Sequence, residues 1–282
     1  MEIKTVGVVG CGVMGSGIAE VVARAGYTVL VHEAGPEHLA RGLEHIKKSL
    51  AKGVVAGRCS QSEADEMLGR IKGTLNLDEF TICDFVIEAI VEDMAEKKKV
   101  FAALDAICPP HAILSSNTSS LSITEMAAAT KRPDKVLGMH FMNPVPIMPL
   151  LEMVRTMLVS DETFNAARAF GASLGKTIVV ARDNPGFIVN LLLIPYLLDA
   201  VRALEQGVGT KEDIDTAIKL GLNHPMGPFR LIDLIGLDTT LFIADAMYGE
   251  YKDARYAAPP LLRRMVAAGL LGRKSGRGFY TY

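Results

Sequence analysis

The run Thr5-Val6-Gly7-Val8-Val9-Gly10-Cys11-Gly12-Val13-Met14-Gly15 constrains the fold of this chain more than any other feature. A short, apolar, β-favouring segment ends directly in a glycine turn of the form GxGxxG. Ile18, Val21, Val22 and Ala25 then fall on one helical face, and Gly26 supplies a stop. Tyr27-Thr28-Val29-Leu30-Val31 reads as a second buried strand, followed by Glu33. Strand, glycine turn, helix, strand and acid form a βαβ unit, and each part has a task if a dinucleotide lies over it. Gly10 permits the tight turn, Gly12 lets the backbone approach a pyrophosphate, and Gly15 allows close helix–strand contact. The pyrophosphate would rest on the helix N-terminus, at Gly12, Val13 and Met14, where unpaired amides and the dipole favour an anion. Glu33, about 20 residues past the loop, is the carboxylate expected on the adenosine ribose. It would repel a 2′-phosphate, so NAD is expected in preference to NADP.

Further strand-like runs lie at Phe85-Val86-Ile87-Glu88-Ala89, Ala112-Ile113-Leu114-Ser115, Val136-Leu137-Gly138-Met139 and Thr177-Ile178-Val179-Val180. Helical segments such as Glu96 through Leu104 separate most of them. This alternation predicts an α/β fold with a mainly parallel, doubly wound, Rossmann-type sheet. Ligands of such sheets bind beyond the carboxyl ends of the strands, and Glu92, Asn117, Ser119 and His140 all read as falling just past a strand end. From Pro36 to Lys52 a helix is expected, with Leu39, Leu43, Ile46 and Leu50 as its apolar stripe. Arg41, His45, Lys48 and Lys52 recur on another face. Such charges usually make a solvated surface; the alternative is contact with the phosphates of an acyl carrier such as coenzyme A.

The texture changes near Asp183. Pro185 suits a first helical turn, and an apolar helix is expected to run on to about Glu205. Thr210 and Asp213 resemble a capping box opening a helix through Leu220. Pro225-Met226-Gly227-Pro228 reads as a turn before a helix from Phe229 to Met247, and Pro259 to Ala268 as a last one. The 282 residues thus divide into a nucleotide-binding domain over 1–183 and an all-α domain over 184–282. So apolar a first helix is expected to complete its burial against a second subunit, as a homodimer.

Charged residues make up 22% of the chain and the net charge is −2, which argues against a nucleic-acid partner. The apolar stretch Gly186 to Leu198 is shorter than the ~20 residues a bilayer requires and contains Asn190 and Pro195, so a membrane span is not expected. The N-terminus lacks a basic start followed by an apolar region, and a cytoplasmic location is expected. Cys11, Cys59, Cys83 and Cys108 show neither metal-ligand nor disulfide spacing.

A dinucleotide needs chemistry to serve. Oxidising a secondary alcohol requires a base for the hydroxyl proton, and histidine titrates near working pH in both directions. Of six histidines, His140 alone ends a predicted strand beside polar, proline-rich sequence. His38, His45 and His111 read as surface, His32 lies near the adenosine side, and His224 sits in a turn. Glu152, a carboxylate in the otherwise apolar Leu150-Leu151-Glu152-Met153-Val154, would be costly to bury unpaired. Paired with His140, it would fix the imidazole tautomer and stabilise the imidazolium.

The glycine loop, Asn117-Thr118-Ser119-Ser120-Leu121, His140-Phe141-Met142-Asn143-Pro144-Val145-Pro146, Asn184-Pro185-Gly186-Phe187-Ile188-Val189-Asn190 and Pro225-Met226-Gly227-Pro228-Phe229 together resemble the 3-hydroxyacyl-CoA dehydrogenases, above all their short bacterial form, from end to end. The resemblance implies hydride exchange between NAD(H) and an L-3-hydroxyacyl-CoA, with 3-hydroxybutyryl-CoA and acetoacetyl-CoA as the expected pair. It implies His140 as general acid/base, Glu152 as its partner, and Ser119 and Asn190 on the substrate oxygens. Glu33, Glu92, Lys97, Asn117 and Asn143 match cofactor-contacting positions, and Ser49 and Lys52 match the coenzyme A side. Glu33 stands where family members commonly carry the shorter Asp. A dimer formed through the helical domain is also implied, and no metal. Other substrates of the family (longer acyl thioesters, 3-hydroxyadipyl-CoA, L-gulonate) stay open, as do a crystallin-like structural protein and an NAD(H)-sensing module. The last explains the glycine loop but not Glu152 or Asn190.

Overall fold

A computed structural model describes residues 2–282. The chain forms two compact units, one reaching to Asn184 and the other spanning Pro185–Tyr282. The first is built on β1 (Thr5–Val9), α1 (Val13–Arg24), β2 (Thr28–His32), α2 (Pro36–Val55), α3 (Gln61–Gly69), β3 (Ile71–Thr74), β4 (Phe85–Glu88), α4 (Met94–Ile107), β5 (Ile113–Ser116), α5 (Ile123–Ala127), β6 (Val136–Phe141), β7 (Leu150–Arg155), α6 (Asp161–Ser173) and β8 (Thr177–Arg182).

These strands form one sheet in the order β3-β2-β1-β4-β5-β6-β7-β8. The pairs among β1 to β6 are parallel, and helices cover both faces, so Val6, Val8, Phe85, Val86 and Ile87 are fully buried. The strand order reverses between β1 and β4, which sets a crevice over the carboxyl ends of β1 and β4. β7 runs antiparallel to β6, and β8 parallel to β7. The physical reason is the link from β6 to β7, a short proline-rich loop with no crossover helix, which can only return the chain antiparallel. That reversal places His140 within β6, directly opposite Glu152 in β7, rather than past a strand end. Four elements carried no periodic signal: β3 is a Gly- and Lys-containing edge strand, α3 is polar, α5 is short, and α6 is only weakly striped. α3 nonetheless has a strong start, a capping box between Ser60 and Glu63.

The second unit is all-α: α7 (Val189–Glu205), α8 (Lys211–Gly221), α9 (Pro228–Ile235), α10 (Leu237–Tyr251) and α11 (Pro260–Ala267). Its own core joins Ile194, Leu197 and Val201 of α7 to Phe229 and Ile232 of α9 and Ala244 and Met247 of α10. α7 begins at Val189 rather than at Pro185, because Gly186 and Phe187 adopt φ of 83° and 49°, outside the helical region. The single helix expected from Phe229 to Met247 is two, broken at Gly236 with φ 103°. Two buried carboxylates fasten this unit. Asp215 accepts the Phe229 amide at 2.8 Å and the Tyr280 hydroxyl at 2.9 Å; Asp233 accepts the Phe279 and Tyr280 amides, both at 2.9 Å. No helix of the described residues is long and apolar enough to cross a membrane.

Candidate active site

His140 and Glu152 are cross-strand partners, and such pairs put their side chains on one face of the sheet. His140 Nδ1 and Glu152 Oε2 lie 2.7 Å apart; the carboxylate has no solvent exposure and the imidazole side chain 9%. A hydrogen bond donated by Nδ1–H to a buried carboxylate selects the tautomer in which Nε2 does the proton work.

The loops after β4 and β5 are tied to this strand. Asn117 Oδ1 accepts the Phe141 amide at 2.9 Å, next to His140. Glu92 accepts from the Thr118 hydroxyl and, at 3.0 Å, from the Ser119 amide, so it holds the loop that presents Ser119. Behind Glu92 lies an ion cluster that the residue pattern alone did not assemble. Lys97, 1% exposed, sits 2.6 Å from Glu88 Oε1 and 3.2 Å from Glu92 Oε2, and Ser116 donates to Glu88 Oε2 at 2.6 Å. Lys97 is thus engaged inside the protein, by two carboxylates. Glu88 was legible by the criterion that singled out Glu152: a lone carboxylate closing an apolar strand. A buried Glu of that kind needs a cation.

At the glycine loop, Gly10 has φ 96°, and a Cβ there would come within 2.6 Å of the Ala89 carbonyl oxygen. A Cβ on Gly15 would lie 1.8 Å from the Gly10 carbonyl oxygen, so only glycine allows α1 to start this close to β1. A Cβ on Gly12 would meet nothing within 4 Å: open space stands at the start of α1. No side chain caps that helix, which leaves its first-turn amides to an anion such as a pyrophosphate. Glu33 Oε2 accepts the Cys11 amide at 2.7 Å, bringing the acid against the loop. Burial and then the Glu33 charge push the Cys11 thiol up to about 12, and burial draws His32 below its ordinary range, Glu33 acting the other way. The donor set therefore fits a dinucleotide with a free ribose diol.

α2 makes one wall of a groove of about 670 Å³ lined by Arg41, Glu44, His45, Lys48, Ser49 and Lys52. Arg58 and, opposite, Pro144, Pro146 and Ile147 complete it. The helical charge stripe of the sequence is thus one side of a cleft, not a plain solvated face. Arg58 was missed because it lies in a stretch without periodicity. Exposed Asn143 heads the same proline-rich loop. Asn190, in the second unit, is buried in the first turn of α7. No cluster of three or more potential metal ligands occurs among the described residues.

Comparison with known proteins agrees in both halves. Residues 5–184 match the family model "3-hydroxyacyl-CoA dehydrogenase, NAD binding domain", and residues 186–282 match "3-hydroxyacyl-CoA dehydrogenase, C-terminal domain". The chain is 52% identical over 282 residues to a 3-hydroxybutyryl-CoA dehydrogenase of Mycobacterium tuberculosis, covering 99% of each. It is 43% identical to the human mitochondrial hydroxyacyl-coenzyme A dehydrogenase, covering 99% of this chain and 91% of that one. Among solved structures, the (S)-3-hydroxybutyryl-CoA dehydrogenase of Ralstonia eutropha superposes with a TM-score of 0.94 at 42% identity, covering 100% and 99% of the two chains.

Proposed function

This chain belongs to the 3-hydroxyacyl-CoA dehydrogenase family of NAD-dependent enzymes, and on that premise we propose that it interconverts L-3-hydroxybutyryl-CoA and acetoacetyl-CoA with His140 as its general acid/base. The observation that carries the reading is the buried His140–Glu152 pair at 2.7 Å. NAD(H), held by the glycine loop and Glu33, would supply the hydride exchange at carbon 3. His140 accepts the 3-hydroxyl proton on Nε2 in oxidation and returns it to the 3-oxo oxygen in reduction. Glu152 holds the Nδ1–H and offsets the positive charge as the imidazolium forms. Ser119 and Asn190 donate hydrogen bonds to the 3-oxygen or the thioester carbonyl and fix the carbon that exchanges hydride.

Glu33, Glu92, Asn117 and Asn143 serve the cofactor, and Lys97 acts by holding Glu92. The cationic groove suits the phosphates of coenzyme A, with Ser49, Lys52, Arg41 and Arg58 as donors. In the helical unit, Leu192, Leu220, Leu222 and Phe242 are large apolar side chains left exposed, which a second copy of the chain would cover in a homodimer. Steady-state reduction of 3-oxoacyl-CoA thioesters of increasing length, with NADH and NADPH in parallel, tests the reading. It predicts the highest kcat/KM for acetoacetyl-CoA with NADH. A higher value for a longer chain would reassign the substrate, and NADH binding without turnover of any thioester would refute the activity.

A further inference from the structure

The connection between β6 and β7 is short of hydrogen-bond donors. Pro144, Pro146 and Pro149 have no N–H, so its carbonyls outnumber the amides that could satisfy them. Pro144 O accepts the Ile147 and Met148 amides, both at 3.0 Å. The Thr177 amide donates to Pro149 O at 2.8 Å, and side chains from other elements take three more of the carbonyls. Lys176, in the turn between α6 and β8, donates from Nζ to Val145 O at 2.6 Å and to Met148 O at 2.8 Å. Arg24 of α1 donates to Pro146 O at 3.3 Å and pairs at 2.5 Å with buried Glu20, whose Oε2 has no hydrogen-bond partner. Val145 is buried against α1 so closely that a Cβ on Gly17 would come within 2.9 Å of its Cβ. Burial and then Arg24 hold the Lys176 ammonium below the ordinary lysine range, with Glu20 opposing.

The loop held in this way carries Asn143 at one end and supplies Pro144, Pro146 and Ile147 to the groove wall. We propose that Lys176 is a positioning residue: by holding the Val145 and Met148 carbonyls it sets the β6–β7 loop, and through it Asn143 toward the cofactor and the groove wall toward the acyl carrier. The inference rests on the roles given above to Asn143 and the groove. His140 and Glu152 are placed by the β6–β7 ladder itself, so the proton-transfer pair stays where it is when Lys176 is lost.

Lys176→Met keeps the aliphatic stem and removes the donors. NADH titration by fluorescence and coenzyme A titration by calorimetry should each show Kd raised ~10-fold, the worth of a lost hydrogen bond or two. The KM for acetoacetyl-CoA should rise with them, while kcat stays within about three-fold and its pH profile does not move. Amide exchange should quicken at Val145, Ile147 and Met148 and not across the sheet. Lys176→Arg, which can still donate to both carbonyls, should recover most of the affinity. Both Kd values within about two-fold of wild type in folded Lys176→Met would overturn the proposal, as would losses shared evenly by kcat, affinity and thermal stability. If Lys176→Met does not fold, Lys176→Gln decides in the same way, through a smaller rise in both Kd values or none. A wild-type protein that binds neither NADH nor coenzyme A would sink the functional reading instead, while loop-confined exchange would still report on Lys176.

Discussion

Replacing Glu152 with Gln removes one charge from the proposed catalytic pair while keeping its shape. The amide oxygen of the substituted side chain can still accept Nδ1–H, so the imidazole keeps its tautomer and orientation. What is lost is the attraction between a fully buried carboxylate and the imidazolium, whose nearest atoms are 2.7 Å apart. With charge centres ~4 Å apart and an effective dielectric constant of ~20, that attraction is about 4 kcal/mol. At about 1.4 kcal/mol per decade, the ceiling on the rate loss is about 10³-fold, and about 10²-fold is the expected floor once residual dipoles compensate. Reduction of the 3-oxo group draws its proton from His140, so the loss is read in the reducing direction. Single-turnover reduction of acetoacetyl-CoA at saturating NADH reads the rate. NADH affinity should be unchanged. A rate within about three-fold of wild type would remove Glu152 from the mechanism, since a buried charge next to the base would then contribute nothing.

Glu33→Ala should raise the NADPH-to-NADH ratio of kcat/KM by ~10-fold or more, because the charge that repels a 2′-phosphate is gone; an unaltered ratio would count against its ribose role. Lys52→Ala should raise the KM for acetoacetyl-CoA several-fold and weaken its salt dependence with kcat unchanged, as loss of a phosphate contact requires. An unchanged KM would return that face of α2 to simple solvation. The thiols give a pH test. Burial pushes Cys11 up to about 12 and Cys108 up to about 11, and lifts Cys83 as well, so all three are protonated at neutral pH; Cys59 alone is partly exposed. A thiol reagent should modify Cys59 rapidly in the native protein and leave the other three until the chain unfolds or the pH climbs toward their ranges. Rapid native modification of Cys11, read by peptide mapping, would contradict the tight packing of the glycine loop.

Much of this molecule was readable from its residues because the informative ones carry steric or electrostatic penalties. Gly10 and Gly15 sit where any side chain would collide with backbone, and Glu152 stands in an apolar strand where only a partner makes burial tolerable. The antiparallel course of β7 was not readable from strand composition, since apolar alternation has no direction. The proline-rich loop before it was the available clue. Gly236 escaped notice because one glycine in a helical pattern is tolerated, and only its φ of 103° splits α9 from α10. The Glu88–Lys97–Glu92 cluster joins a strand end, a loop and a helix, and Lys97 looks like any helical lysine until its burial is known. Lys176 was harder still. Its partners are backbone carbonyls, which leave no trace in the identity of the residues they belong to.

Whether His140 is the acid/base is decided by the single-turnover rate of acetoacetyl-CoA reduction in wild type and His140→Ala, each with NADH bound to the same occupancy. Wild type should oxidise NADH promptly, the variant should be slower by ~10³-fold or more, and the NADH affinity of the two should be the same. A variant that retains a rate within about ten-fold of wild type, or one that loses turnover only by losing NADH, would mean that His140 is not the acid/base of this enzyme.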